Sequence, residues 1–279
     1  MRVSVIISTY NHPEWLEKVL EGFRCQTHQD LELVIADDGS AQPTRDLIDR
    51  FRVLSGLAVV HTWQPDEGFQ KSRILNKAIL DATSEYLIFT DGDCIPRQDF
   101  VEVHVREAER GRFLSGGYFM LPMQTSKAIG LEDVSSGRAF DVRWLGANGL
   151  KRSFKSLKLT ARGWVQALMN GITTTRPTWN GHNASGWKSD LIAVNGFNEE
   201  MKYGGQDREL GERLVNKGIR GKQIRYSAVC VHLDHKRSYK TEESIRFNRN
   251  VRRQTRREMK TWTSSGITGH LPAQRQSMA

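Results

Sequence analysis

Apolar and polar positions alternate between two periods along the first part of the chain. Val3–Ser8 is a short β-branched run, and residues 31–36 ("LELVIA"), 56–63 ("GLAVVHTW") and 85–90 ("EYLIFT") are further apolar runs of strand length. Between them the spacing becomes helical. Pro13 stands where a first helical residue is favoured, and Trp15, Leu16, Val19, Leu20 and Phe23 fall on one face. The stretch "TRDLIDRF" and residues 69–82 repeat the helical pattern. Strands alternating with helices predict an α/β fold with a mostly parallel sheet, in which ligands bind beyond the carboxyl ends of the strands. Those ends carry Thr9-Tyr10-Asn11, Asp37-Asp38 and Asp91-Gly92-Asp93.

From about residue 122 to 178 the periodicity weakens. Lys151, Arg152, Lys155, Lys158 and Arg162 are scattered among apolar residues, which predicts helices and a segment able to move. Residues 204–218 are clearer: Asp207 begins or caps a helix, Leu210, Leu214 and Val215 face inward, and Gly218 stops it. A strand and an exposed turn follow, ending in "VHLDH". Beyond Lys236 the chain is basic, and "RFNRNVRRQTRR" holds six arginines and no acid. The expected organisation is one domain over 1–236, with a nucleotide-binding half (1–120), a variable part (121–178) and an acceptor-binding, catalytic half (179–236). A basic tail (237–279) completes it.

Bulk properties narrow the field. The 279 residues can bury a sizeable core, and no apolar run approaches the ~18–20 residues of a membrane span. The first residues read as a strand rather than a leader, so a cytoplasmic location is expected. Three sparse cysteines, Cys25, Cys94 and Cys230, argue against a disulfide framework. The net charge of +9 suits an anionic partner, whether nucleotide, nucleic acid or lipid surface.

Four clusters carry candidate chemistry. Asp91 and Asp93, at alternate positions past a strand, can reach one hard cation such as Mg²⁺ or Mn²⁺; they equally suit a β-turn. Asp37-Asp38-Gly39-Ser40 is either a strand-to-helix turn with a cap or a carboxylate site for ribose hydroxyls or a base N–H. Cys230, His232 and His235 have the look of a small metal site without a fourth ligand; one histidine could instead complete the Asp91/Asp93 site. Asp207, after Gly204-Gly205, is either an acid favoured by a helix N-terminus or a general base on a cleft wall.

Together, "VSVIISTYN", "LVIADDGS", "DEGFQKSRILNKAI", "YLIFTDGDC", "NGHNASGWKSDLIAVNGFNEEMKYGGQDRELGERLVNKG" and "VHLDH" resemble a family 2 glycosyltransferase of the GT-A fold. The second half resembles the C-terminal portion of β-galactosyltransferases and of chondroitin-polymerase-type enzymes. The resemblance covers roughly residues 1–120 and 178–236. It implies inverting transfer of a hexose or N-acetylhexosamine from a UDP-sugar to a hydroxyl of a glycan or lipid-linked acceptor, in surface polysaccharide synthesis.

By the same resemblance, Thr9, Tyr10 and Asn11 line the nucleotide pocket and Asp37 or Asp38 holds uracil or ribose. Gln70 and Arg73 face the donor, with Asn76 nearby. Asp91 and Asp93 hold a divalent metal, Mn²⁺ or Mg²⁺, with His232 as third ligand and His235 as second choice. Asp207 is the general base, and Asn183 and Trp187 fall in the donor-sugar and acceptor region. Related sequences carry Glu-Asp where this chain has Gln206-Asp207, which bears on sugar specificity. Basic residues of 143–176 are expected to close over the donor, and the basic tail to attach the protein to an anionic membrane face. Two other readings compete: a nucleic-acid-binding α/β protein, and a non-catalytic sugar-nucleotide-binding subunit of the same fold. The acidic, cleft-forming motifs and the scarcity of aromatics in the tail weigh against nucleic acid.

Overall fold

A computed structural model describes residues 1–151, 153–235 and 240–271. Arg152 and the expected 236/237 boundary lie outside the described residues. Ten strands are present among the described residues: β1 (Val3–Thr9), β2 (Leu31–Asp37), β3 (Ala58–Trp63), β4 (Tyr86–Asp91), β5 (Cys94–Pro96), β6 (Arg112–Ser115), β7 (Gly117–Met120), β8 (Ala184–Trp187), β9 (Arg220–Gln223) and β10 (Val229–His232). The helices of the first half are α1 (Pro13–Arg24), α2 (Gln42–Leu54), α3 (Lys71–Asp81) and α4 (Phe100–Glu107). Short helices fill the middle: α5 (Met123–Ala128), α6 (Leu131–Ser135), α7 (Val142–Ala147), α8 (Leu157–Thr160) and α9 (Gly163–Ile172). The last are α10 (Lys188–Ala193), α11 (Gln206–Asn216) and α12 (Glu242–Arg257).

The main sheet has seven strands in the order β3-β2-β1-β4-β8-β6-β9. Strands β3, β2, β1 and β4 run parallel, as alternation with helices requires, while β8 is antiparallel to both β4 and β6. A smaller sheet, β5-β10-β7, stands beside it. Strand alternation divides the core. Val3, Val5 and Ile7 of β1 pack with α1 on one face, and Ile6 packs with Ile74, Ala78 and Leu210 on the other. At the amino end of the sheet Glu32 is buried. It accepts hydrogen bonds from the Ser4 hydroxyl (2.5 Å) and the Thr83 amide (2.6 Å), which outweigh burial and keep its carboxyl below the usual range.

The chain past residue 240 packs on this domain. Thr255 of α12 donates to Glu209 of α11, Arg252 and Arg256 pair with Glu212, and Ile267 enters the α3 face of the core. The underlying support is the Arg213–Glu209 pair inside α11, at 2.9 Å and fully buried. Arg213 also donates to the Val194 and Gly196 carbonyls, so each of its three nitrogens has a fixed partner. Removing one member of such a pair strands a buried charge, at about 3–5 kcal/mol. No helix among the described residues is long and apolar enough to cross a membrane.

Candidate active site

The carboxyl ends of β1 and β4 open into a cavity of about 690 Å³. It is lined by Ser8 to His12, Asp38, Lys71, Asp91 to Asp93, His182, Gln206, Asp207, His232 and His235, with Phe69, Tyr118, Met120 and Tyr203 as apolar walls. Its position is the one that sheet topology favours for ligands.

Asp91 ends β4. One of its oxygens accepts from the Ser8 hydroxyl (2.7 Å) and from the Lys71 ammonium (2.5 Å). Lys71 is the first residue of α3, and the helix aims it into the cavity. Burial alone would raise the Asp91 carboxyl; Lys71 and Ser8 more than offset this, and Asp91 stays ionised. Burial would likewise neutralise Lys71, but Asp91 and Asp207 together hold its ammonium well above the ordinary lysine range.

Asp93 leads into β5, which pairs antiparallel with β10 so that His232 lies opposite Cys94. The Leu233 amide donates to the Asp93 carbonyl at 2.8 Å and fixes the turn. As a result both imidazoles face one carboxylate. His235 Nε2 is 3.0 Å from Asp93 Oδ2, and His232 Nε2 is 3.6 Å from Oδ1. The two rings are stacked at 5.6 Å. His232 Nδ1 lies 2.8 Å from the Leu233 carbonyl, an acceptor only, so Nδ1 donates to it and Nε2 turns to Asp93. At 3.6 Å this second contact is longer than a hydrogen bond. It matches two neighbouring ligands on one cation, which at bonds of about 2.1 Å stand about 3 Å apart. This donor set, O and N with a carbonyl orienting the imidazole, fits Mn²⁺ or another first-row ion. Cys94 lies near, but burial and the adjacent Cys230 keep its thiol protonated, and Cys230 turns towards the Gly117 and His182 carbonyls. The three-residue Cys230/His232/His235 grouping therefore does not converge; His232 and His235 join Asp93 instead.

Asp207 stands in the first turn of α11. Gly204 and Gly205 precede it at φ +112° and +105°, a region open to glycine, and this bend brings the helix start under the cavity. The carboxylate lies against the Gly181 backbone, where a Cβ would come within 2.9 Å of Oδ2. Its Oδ1 is buried and has no hydrogen-bond partner among the described residues. Burial pushes the Asp207 carboxyl up, Lys71 opposes this and Asp91 reinforces it; the net direction is upward. An orphaned carboxylate oxygen beside an ammonium, aimed into a cleft, is the arrangement of a base awaiting a proton. Gln206 folds back so that its Oε1 accepts from the Gly204 amide (3.0 Å), and it remains on the cavity wall.

Asp38 lines the cavity and Asp37 does not. Asp37 is fully buried, accepting from the Ser40 amide (2.8 Å) and contacting His61 Nε2 (2.9 Å), and so serves the turn after β2. Asp38 accepts from Gln64 (2.7 Å) and the Gln70 amide (2.9 Å) and keeps spare acceptor capacity. Burial lifts its carboxyl to about 6 despite those bonds. Thr9 and Tyr10 line the wall, the Tyr10 hydroxyl donating to Asp66 at 2.7 Å. Asn11 also lines it while bracing Ala41 and Ser40.

Several expected contacts stand elsewhere. Gln70 contributes its amide to Asp38 and does not line the cavity; Arg73 pairs outward with Glu67 at 3.0 Å. Asn76 is buried against Phe197 and Glu199. Asn183 is buried among the Gly117 and Ala228 carbonyls and His104. Trp187 lies opposite Tyr86 at the start of β4, away from Asp91, because β8 is antiparallel; it packs on the Tyr86 ring and donates to the Glu109 carbonyl. None of the described residues from 121–178 lines the cavity. Conversely, Lys71 and His182 are in the site without having been singled out from the sequence. Lys71 had a signal: it precedes Ile74, Ala78 and Ile79 by helical steps on the buried face, whereas Arg73 stands about 200° round the helix from it. His182 follows a glycine in a loop and had none.

Comparison with known proteins agrees with this geometry. Residues 4–126 match the model "Glycosyl transferase family 2", and residues 170–236 match "N-terminal domain of galactosyltransferase". The glycosyltransferase YfnE of Bacillus subtilis, itself uncharacterized, is 24% identical over 281 residues, covering 89% of this chain and 69% of YfnE. An uncharacterized glycosyltransferase of Nostoc sp. is 34% identical over 93 residues, and the chain spans 28% of that protein's length. Among solved structures, S. aureus TarS (residues 1–349, with UDP-GlcNAc) superposes with a TM-score of 0.61 at 14% identity, covering 99% of this chain and 78% of that one. The mannosyltransferase PcManGT of Pyrobaculum calidifontis, in complex with GDP-Man and Mn²⁺, gives 0.58 at 22%, covering 85% and 58%. Residues 4–126 thus match the family 2 glycosyltransferases, and the chain has the GT-A fold.

Proposed function

We propose that the protein is a metal-dependent, inverting glycosyltransferase that moves a hexose or N-acetylhexosamine from a UDP-sugar to a hydroxyl of a glycan or lipid-linked acceptor, for surface polysaccharide. The observation that carries this is the orphaned Asp207 oxygen sharing one cavity with the Asp93/His232 pair. A divalent ion held by Asp93, His232 and His235, with Asp91 beside them, would offset charge on a leaving diphosphate. Lys71 adds a fixed cation in the same place and needs no general acid beside it. Asp207 accepts the proton of the incoming hydroxyl as that oxygen attacks the anomeric carbon from the face opposite the diphosphate. Asp38 offers a carboxylate to a base N–H or ribose hydroxyl, with Thr9, Tyr10 and Asn11 forming the wall around it. Gln206, in place of an acid, presents an amide to the sugar. Among the described residues of the expected basic tail, Arg246, Arg249, Arg253, Arg256 and Arg257 of α12 are exposed.

Calorimetric titration with UDP tests the reading. Affinity is expected to rise on adding Mn²⁺, and UDP binding indifferent to metal would count against it. The same titration carries a pH signature. Asp38 must be ionised to accept from the nucleotide, and its carboxyl titrates near 6. UDP affinity is expected to fall below that pH, by up to about tenfold per unit, and Asp38→Asn to remove this component. For stability the sign is the reverse. A carboxyl raised above its unfolded value near 3.9 disfavours the fold increasingly as pH rises from about 4 to 6.

A further inference from the structure

We propose that Lys151 and residues 153–176 form a docking face for an anionic lipid bilayer, beside the active-site cavity. Helix α9 is inverted relative to an ordinary surface helix. Trp164, Ala167, Leu168, Gly171 and Ile172 form one stripe, and all five are exposed. Trp164 is 77% exposed, Ile172 60% and Leu168 49%. Phe154, in the turn before α8, is 98% exposed. The polar side of α9 faces the protein instead: Asn170 accepts from the Tyr226 amide (2.9 Å) and donates to Ser227 (2.7 Å). This outward apolar face is therefore held in place by specific bonds.

Charge identifies the occupant. From residue 142 to 189 the sequence contains no acid, against eight lysines and arginines. Lys151, Lys155, Arg162 and Arg176 are exposed around the apolar stripe, and among the described residues none of them forms an ion pair. Large apolar side chains ringed by unpaired cations are the composition of an interfacial helix: the rings enter the headgroup boundary and the cations meet anionic lipid. A second copy of this chain fits worse, because two such faces would oppose like charges. The face also adjoins the cleft. Lys158 of α8 donates to the Tyr118 carbonyl at 3.3 Å, and the Tyr118 and Met120 side chains of β7 line the cavity. A bilayer on this face would present a lipid-linked hydroxyl to the rim. Helix α12 has the charge alone, with Phe247 as its large exposed apolar residue.

The test is co-sedimentation of the full chain with vesicles of phosphatidylglycerol in phosphatidylcholine, at low salt, with circular dichroism and thermal unfolding of each variant as a control for folding. Wild type is expected to bind these vesicles and not phosphatidylcholine alone. Trp164→Ser with Leu168→Ser and Ile172→Ser should weaken binding by about tenfold or more. Lys151→Glu with Lys155→Glu should weaken it by about tenfold at least. Arg246→Glu with Arg249→Glu and Arg253→Glu should leave it unchanged. Absence of binding, or binding untouched by the α9 changes but lost with the α12 changes, overturns the proposal. So does a solution dimer that the α9 changes dissociate, which would assign the face to a second copy. Vesicle binding is read independently of catalysis, so its outcome and that of the sugar-transfer reading are separate.

Discussion

Asp207→Asn is expected to abolish sugar transfer while leaving UDP binding intact. The side chain keeps its shape and its place at the start of α11, but an amide nitrogen or neutral carbonyl cannot take the acceptor's proton. General-base catalysis contributes about 10²–10⁴-fold, and turnover should fall by that factor. The raised carboxyl places the group nearer working pH, where a base is most effective, so the acid limb of the wild-type pH–rate profile should lie above the usual aspartate range. Lys71 lies between Asp91 and Asp207, which makes removal of Asp207 easier on the fold than removal of Lys71. Full turnover in Asp207→Asn, measured as UDP release, would remove the base from this position.

The second large effect concerns Lys71→Met. Lys71 neutralises two carboxylates at the cavity wall, touching Asp91 at 2.5 Å and acting on Asp207 through space. Methionine fills the volume and leaves both acids without their cation. Stranding buried charges costs about 3–5 kcal/mol; since about a fifth of the Asp91 side chain is open to the cleft, about 3 kcal/mol is the expectation. Urea unfolding should show this loss in metal-free buffer. Mn²⁺ should restore more stability to the variant than it gives the wild type, because an added dication relieves the same repulsion and binds only the folded state. Unchanged stability, or a loss that Mn²⁺ does not touch, would mean that the acids are not electrostatically joined as described.

Much of the frame is legible in the amino-acid sequence. The β-branched runs ending in Asp38, Asp91 and Thr9 gave the parallel half of the sheet and the end at which the site lies, because period and turn residues are local properties. Asp93, His232 and Asp207 were legible by resemblance to a family whose motifs occur in order. What failed was anything that depends on strand direction or helical phase. Trp187 and Asn183 were expected together near a sugar. An antiparallel β8 carries Trp187 to the far end of β4, and Asn183 spends its amide on two backbone carbonyls. Arg73 was read as facing the donor, but α3 turns Lys71 inward and Arg73 out. The tail is expected to attach to an anionic membrane face, whereas Asn248 and Thr255 of α12 are buried against the domain. A helix that is basic on one side and small or polar on the other gives little apolar periodicity from which docking could be read.

The central claim is transfer with inversion, and the configuration of the product tests it most directly. The protein is incubated with a panel of UDP-α-sugars, Mn²⁺ and a hydroxyl acceptor, and the anomeric proton of the product is read by NMR. A single displacement assisted by Asp207 gives a β-linked product with UDP released in equal amount. An α-linked product, or no UDP released from any donor, would contradict the account.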